Sequence, residues 1–146
     1  MKILANEIAS RIADAQKSSV SGQLNSNASS GWRPSYGIYF DTTNNKNFIH
    51  FADLNNNGYY DSSTDSILDQ TSITNGNTVS ALGVVGTGCP TITNLNVVFK
   101  RPDSGAIITS TPQLTCTITY AQITVSSSAS IISTIKIYPS GRIQIN

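Results

Sequence analysis

The segment Asp53-Leu-Asn55-Asn-Asn57-Gly58-Tyr59-Tyr-Asp61 places oxygen-bearing side chains at every second position around one glycine. That is the spacing of ligands for a hard cation. A calcium loop of the EF-hand type draws ligands from positions 1, 3, 5, 7, 9 and 12 and turns at a glycine in position 6. Asp53, Asn55 and Asn57 fill the first three places, and Gly58 takes the sixth. Tyr59 would offer its carbonyl next, and Asp61 follows two residues later. The pattern breaks at Thr64, where an EF-hand carries a bidentate Glu, so Asp65 or Asp69 would have to substitute. The same residues also spell an Asn/Gly turn closed by Asx hydrogen bonds, which needs no ion.

Few other residues have the types or spacing for chemistry. Cys89 and Cys116 are the two cysteines. Their even count in a Ser/Thr/Asn-rich chain favours a disulfide and an oxidising compartment over two buried thiols. No C-x-x-C or H-x-x-x-H spacing supports a metal centre. His50 is the sole histidine, and a Ser-His-Asp triad would need it. The chain has no G-x-S-x-G nucleophile elbow, so His50 reads as a hydrogen-bonded strand residue and the chain as no enzyme. Lys100, Arg101 and Arg142 stand near strand ends, where they could contact phosphate. Trp32, beside Arg33 and Pro34, reads as a lid on a sheet edge or as a surface binding residue.

The elements that must position these residues follow from periodicity. Leu4, Ile8, Ile12 and Ala15 mark one face of a helix over residues 2–21, widened by Ala5, Ala9 and Ala13. Glu7 and Arg11 are spaced to pair on its outer surface. Gly22 is the stop signal. A polar connector covers 23–35. Tyr36, Ile38 and Phe40 then alternate with Gly37, Tyr39 and Asp41, the period of a half-buried strand. After the turn at 42–46, a second strand spans Phe48 to Ala52. Further strands are expected at 66–73, 77–85, 91–100, 106–109 and 115–127, with a closing hairpin at 131–138 and 142–145. Leu95, Val97 and Phe99 should point inward, and Cys116, Ile118 and Tyr120 should share a face. One helix followed by many strands predicts an α+β fold, a helix packed on antiparallel sheet.

Composition narrows the class. The 146 residues suit one domain, and 38% hydrophobic residues supply one core. Only 12% are charged; polarity comes from 21 Ser, 16 Thr and 14 Asn, a usage that suits strands and turns of extracellular domains. The net charge of +1 gives no general attraction to nucleic acid or anionic lipid, which argues against a nucleic-acid partner. No apolar run is long enough to span a membrane.

Four segments, in order, resemble the soluble domain of type IV pilin-like minor pseudopilins, the GspH/FimT family. Glu7-Ile-Ala-Ser-Arg11-Ile-Ala-Asp-Ala-Gln16 is similar to the family's helix, E-L-A-x-x-I-x-x-A-Q. Tyr36–Phe40 with Phe51–Asp61 resembles its hairpin and loop. Val98-Phe-Lys-Arg101-Pro102-Asp103 is similar to F-x-R-P-D, and Ile135–Ile143 resembles the closing hairpin ending in G-R-I. The resemblance implies a single pilin-like α+β domain over 1–146. Residues 1–21 would be the C-terminal half of a pilin helix and 36–146 a β-rich head. It further implies a structural subunit of a type IV pilus or type II secretion pseudopilus, on a bacterial surface or in the periplasm. An upstream helix, following a prepilin-type cleavage site, would anchor it in the inner membrane before assembly with other pilin subunits. The loops at 22–35 and 54–66 would meet neighbouring subunits or ligands. Some family members serve DNA uptake, and a G-R-x-R tail would suit phosphate; here Gly141-Arg142-Ile143-Gln144 keeps only the first arginine. A surface ligand-binding module, a DNA-uptake receptor or an adhesin, is the alternative function.

Overall fold

Leu4, Ile8, Ile12, Ala15 and Ser19 recur every three or four residues and, with Ala5, are buried along one side of α1 (Lys2–Ser21). A computed structural model describes residues 1–28 and 31–146 of the chain. The helix stops at Gly22, which adopts a left-handed conformation (φ 68°, ψ 45°). The Gly22 N–H donates to Ser19 O at 3.0 Å and the Gln23 N–H to Ser18 O at 2.9 Å, the paired bonds of a Schellman end. The left-handed conformation is what demands glycine here; a Cβ would meet only the flexible side chains of Arg33 and Arg101.

Nine strands follow among the described residues: β1 (Ser35–Asp41), β2 (Asn47–Asp53), β3 (Ser66–Ser72), β4 (Thr78–Thr87), β5 (Asn94–Phe99), β6 (Ala106–Thr109), β7 (Thr117–Ser126), β8 (Ile132–Ile137) and β9 (Ile143–Ile145). They form two antiparallel sheets. The first has the order β3-β2-β1-β5-β6 and the second β4-β7-β8-β9. The helix packs against β1 and β5 of the first sheet and β8 and β9 of the second. One apolar cluster joins all three layers, with Ile8, Ile12, Ile38, Phe40, Val97, Ile123, Ile135 and Ile137 fully shielded. Ser19 adds a polar tie: its Oγ donates to Phe99 O at 2.7 Å in the buried helix–sheet contact.

The expected α+β, pilin-like class is corrected by this architecture. The molecule is mostly β, and one helix serves two separate antiparallel sheets; its likeness to a pilin-like fold is loose. Periodicity located the strands, but their division into sheets depends on pairings between segments far apart in the chain. β4 leaves the first sheet to pair with β7, and β5 returns to pair with β1.

Three local expectations also change. Ala13 is exposed, while Ala15 and Ser19 continue the buried stripe. Arg11 does not pair with Glu7; its guanidinium reaches Asp69 of β3 at 3.1 Å. Tyr120 does not share a face with Ile118. The β4–β7 register jumps there, pairing Val85 with Tyr120 and Gly86 with Ile118, so Thr119 is the extra residue of a bulge. Ile118 stays against the core with Ala121, Ile123 and Val125, and Tyr120 turns to the outer face.

Cys89 and Cys116 are joined in a disulfide across 27 residues of sequence, with 4.9 Å between their Cα atoms. It links the end of β4 to the start of β7, the two strands whose pairing holds the second sheet's edge. On a chain-entropy basis it should contribute roughly 3–4 kcal/mol. Replacing Cys116 by Ser together with Cys89 by Ala should therefore lower the urea midpoint clearly, with a larger m-value because the unbridged unfolded chain exposes more surface; an unaltered midpoint would contradict the assignment.

Candidate functional site

The 53–65 segment is laid over the outer face of the first sheet. Tyr60 packs on Tyr39 and Phe51, with ring centres 5.2 and 5.3 Å away. The Tyr60 N–H donates to Oδ1 of the buried Asn96 at 2.9 Å, and Thr109 Oγ1 donates to Gly58 O at 2.6 Å. These contacts explain why β1 and β5 are buried on both faces. Burial, then the neighbouring Asp41 that accepts its hydroxyl at 3.0 Å, pushes the Tyr39 pKa up to about 12.

Inside the segment the carboxylates accept backbone amides. Asp53 is 1% exposed and takes the N–H of Gly58 at 2.8 Å and of Asn57 at 3.3 Å. Asp65 takes those of Leu54 at 2.9 Å and Asp61 at 2.7 Å. Burial raises the pKa of both; their amide donors oppose that rise. Asn55 and Asn57 turn their Nδ2 groups to Asp61 Oδ2, at 2.8 and 2.5 Å, and Asn57 Oδ1 accepts the Tyr59 N–H at 2.8 Å. The five residues of the calcium pattern are thus brought together, but as donors and acceptors to one another. A cation could use Asn55 and Asn57 only after their amides rotated away from Asp61. Among the described residues, no group of three or more His, Cys, Asp and Glu side chains is disposed to hold a metal ion. The glycine requirement is met at Gly58, whose φ is 80°.

The hydrogen-bonded loop generates a first prediction for this site. Asp53→Ala strands two amide donors under Tyr60 and should cost about 2–3 kcal/mol in denaturant unfolding. The melting temperature should be the same in calcium and in chelator; a clear rise with calcium would show that the Asn amides do rotate to admit an ion.

The cations fall in two places. Lys100 and Arg101 lie exposed in the turn after β5 and line an open cleft of about 400 Å³ with Trp32, Arg33, Ser35 and Asn56. Arg33, which motif reasoning passed over, donates from its guanidinium to Gly22 O. With Arg101 against Gly22, two cations sit at the carbonyl end of α1, where the helix dipole favours them. Trp32 is half-buried beside them; residues 29 and 30 of the 22–35 loop lie outside the described residues.

Arg142 belongs elsewhere, on the outer face of the second sheet, with its guanidinium carbon 4.0 Å from the Tyr138 ring centre. Lys136 stands 4.7 Å from the centre of the Tyr120 ring, and the two tyrosine rings are 5.6 Å apart. Lys136 and Tyr138 were not singled out from sequence, and Tyr120 was expected on the face of Cys116 and Ile118. Alternation around Ile135 and Ile137 marks Lys136 and Tyr138 as outward, but the bulge at Thr119 hides Tyr120 from any period-two reading.

His50 departs from the hydrogen-bonded role expected of it. Its Nε2 is the sole buried side-chain nitrogen or oxygen without a partner among the described residues. The ring faces α1, near Arg11 and Asp14, with Asp69 of β3 alongside and Tyr36 edge-on at 6.5 Å. Burial lowers its pKa, opposed by Asp14, aided by Arg11 and opposed by Asp69. Because the folded pKa lies below the unfolded value of 6.5, folding favours the neutral ring. The stability this contributes is complete above 6.5 and falls as pH drops from there toward the folded pKa. The loss relative to a His50→Gln variant should appear in that window; parallel stability curves for the two proteins would refute it.

No family model, no curated protein and no solved structure matches this chain, so the likeness to pseudopilins rests on the four sequence segments.

Proposed function

We propose that this chain is a structural subunit of a surface filament, a minor pilin or pseudopilin of a type IV pilus or type II secretion pseudopilus. The order of the four family-like segments supports the reading. The physical observation that carries it is an apolar pole. Ile3, Ile131 and Ile132 are 85%, 59% and 65% exposed. With Met1 and Ile145 they line an open groove of about 620 Å³ at the N-terminal end of α1. Large apolar side chains gathered on one surface mark a place that another molecule covers. In a filament subunit that pole would face the helical core, where neighbouring subunits pack. No helix among the described residues is long and apolar enough to cross a membrane, so in this reading the anchor is a segment upstream of α1. The head would pass from the inner membrane to the bacterial surface or the periplasm.

The reading is checked by shearing surface filaments from cells that produce the native protein. The chain should pellet with them, and Ile3→Asp with Ile132→Asp should release it to the soluble fraction while leaving the purified head folded. Recovery of the unmodified native protein wholly as a soluble monomer would overturn the proposal.

A further inference from the structure

The outer face of the second sheet carries an ordered array that the filament reading does not use and on which this inference does not depend. Strand register builds it. Gln122 pairs with Lys136, and Lys136 with Gln144. One step along, Tyr120 and Tyr138 stand side by side, and Arg142 flanks Tyr138. Lys136 and Arg142 are therefore diagonal neighbours across β8 and β9, at a Cα spacing of roughly 7–8 Å. Each cation is held against a tyrosine ring, which fixes a long side chain that would otherwise sweep solvent. The Tyr138 hydroxyl donates to Gln144 Oε1 at 3.2 Å, fixing that amide as well.

Charge is distributed to match. Five of the eight acidic residues, Asp41, Asp53, Asp61, Asp65 and Asp69, belong to the first sheet and its covering segment. β4, β7, β8 and β9 contain no acidic residue at all. In a molecule of net charge +1, the four strands of this sheet thus carry cations and no acidic side chain.

We infer that this face binds an acidic polysaccharide, a chain of sugars bearing carboxylates. The array runs across three adjacent strands, which suits an extended polymer better than a small molecule. Arg142, stacked by its plane on Tyr138, keeps its N–H edge for a carboxylate. Gln122 offers its amide to sugar hydroxyls, and Gln144, whose Nε2 donates to Asn146 Oδ1 at 3.0 Å, keeps its second N–H for them. Single-stranded nucleic acid fits less well, because binding it without sequence preference relies on free aromatic faces for base stacking, and here each ring already carries a cation.

The test uses the whole chain with polygalacturonate, neutral dextran and oligothymidylate as probes, at low and at moderate salt. Polygalacturonate should bind, weaken with salt and exceed both other probes. K136Q/R142Q should weaken it at least about fivefold, whereas K100Q/R101Q should leave it within about twofold. As a check independent of variants, polygalacturonate should shift the side-chain amide signals of Gln122 and Gln144 in NMR spectra. The inference falls if polygalacturonate fails to bind at low salt, or if oligothymidylate binds more tightly. It also falls if K136Q/R142Q binds unchanged, if Lys100 and Arg101 carry the loss, or if the shifted signals lie away from this sheet.

Discussion

One buried stripe on α1 holds the two sheets in one body. Ile8 and Ile12 are fully shielded, and the helix bearing them touches β1 and β5 on one side and β8 and β9 on the other. Removing such a side chain from a close-packed core costs about 2–5 kcal/mol, a large share of a small domain's stability. The helix therefore does more than cover a sheet; it is the shared wall of both. Its C-terminal end is tied by Ser19 to β5 and by Gln16 to Ser104 O at 2.5 Å, and it is closed by the turn at Gly22. The 22–35 connector starts from that fixed point.

That constraint explains where exposed chemistry is found. The inner faces of both sheets are committed to the helix and to the common core. The outer face of the first sheet is then covered by the 53–65 segment, whose Tyr60 and Asn96 contacts convert a polar loop into a second, smaller buried layer. The outer face of the second sheet receives no such cover among the described residues, and its side chains remain available. The oxygen-rich loop, which invites a metal reading, thus serves as a lid. The plain-looking strands near the C-terminus carry the open cationic array.

The unpartnered His50 belongs to the same economy of space. It lies where the helix crosses β2, among Arg11, Asp14 and Asp69, and close packing leaves its Nε2 no acceptor or donor. The Arg11–Asp69 contact, at 3.1 Å, is half-exposed and contributes little by itself. Its consequence is electrostatic: it sets the charges around the half-buried His50 imidazole.

Local spacing along the chain sets the elements. The helix, its glycine stop and every strand are legible within a few residues, because these depend on local spacing: 3.6 for Leu4, Ile8 and Ile12, and 2 for Tyr36, Ile38 and Phe40. The even cysteine count favoured a bridge over two buried thiols, and the fold bears this out, placing the two Cα atoms 4.9 Å apart between adjacent strands. Tertiary structure alone decided the rest. The assignment of β4 and β7 to a second sheet, the exchange of Arg11's partner from Glu7 to Asp69 and the bulge at Thr119 all depend on contacts between distant segments. So do the inward collapse of Asp53 and the meeting of Tyr120, Lys136, Tyr138 and Arg142 on one face. A pattern of period two states which residues share a face, but it cannot state which strand lies alongside, and a one-residue bulge reverses the face without leaving a trace in composition.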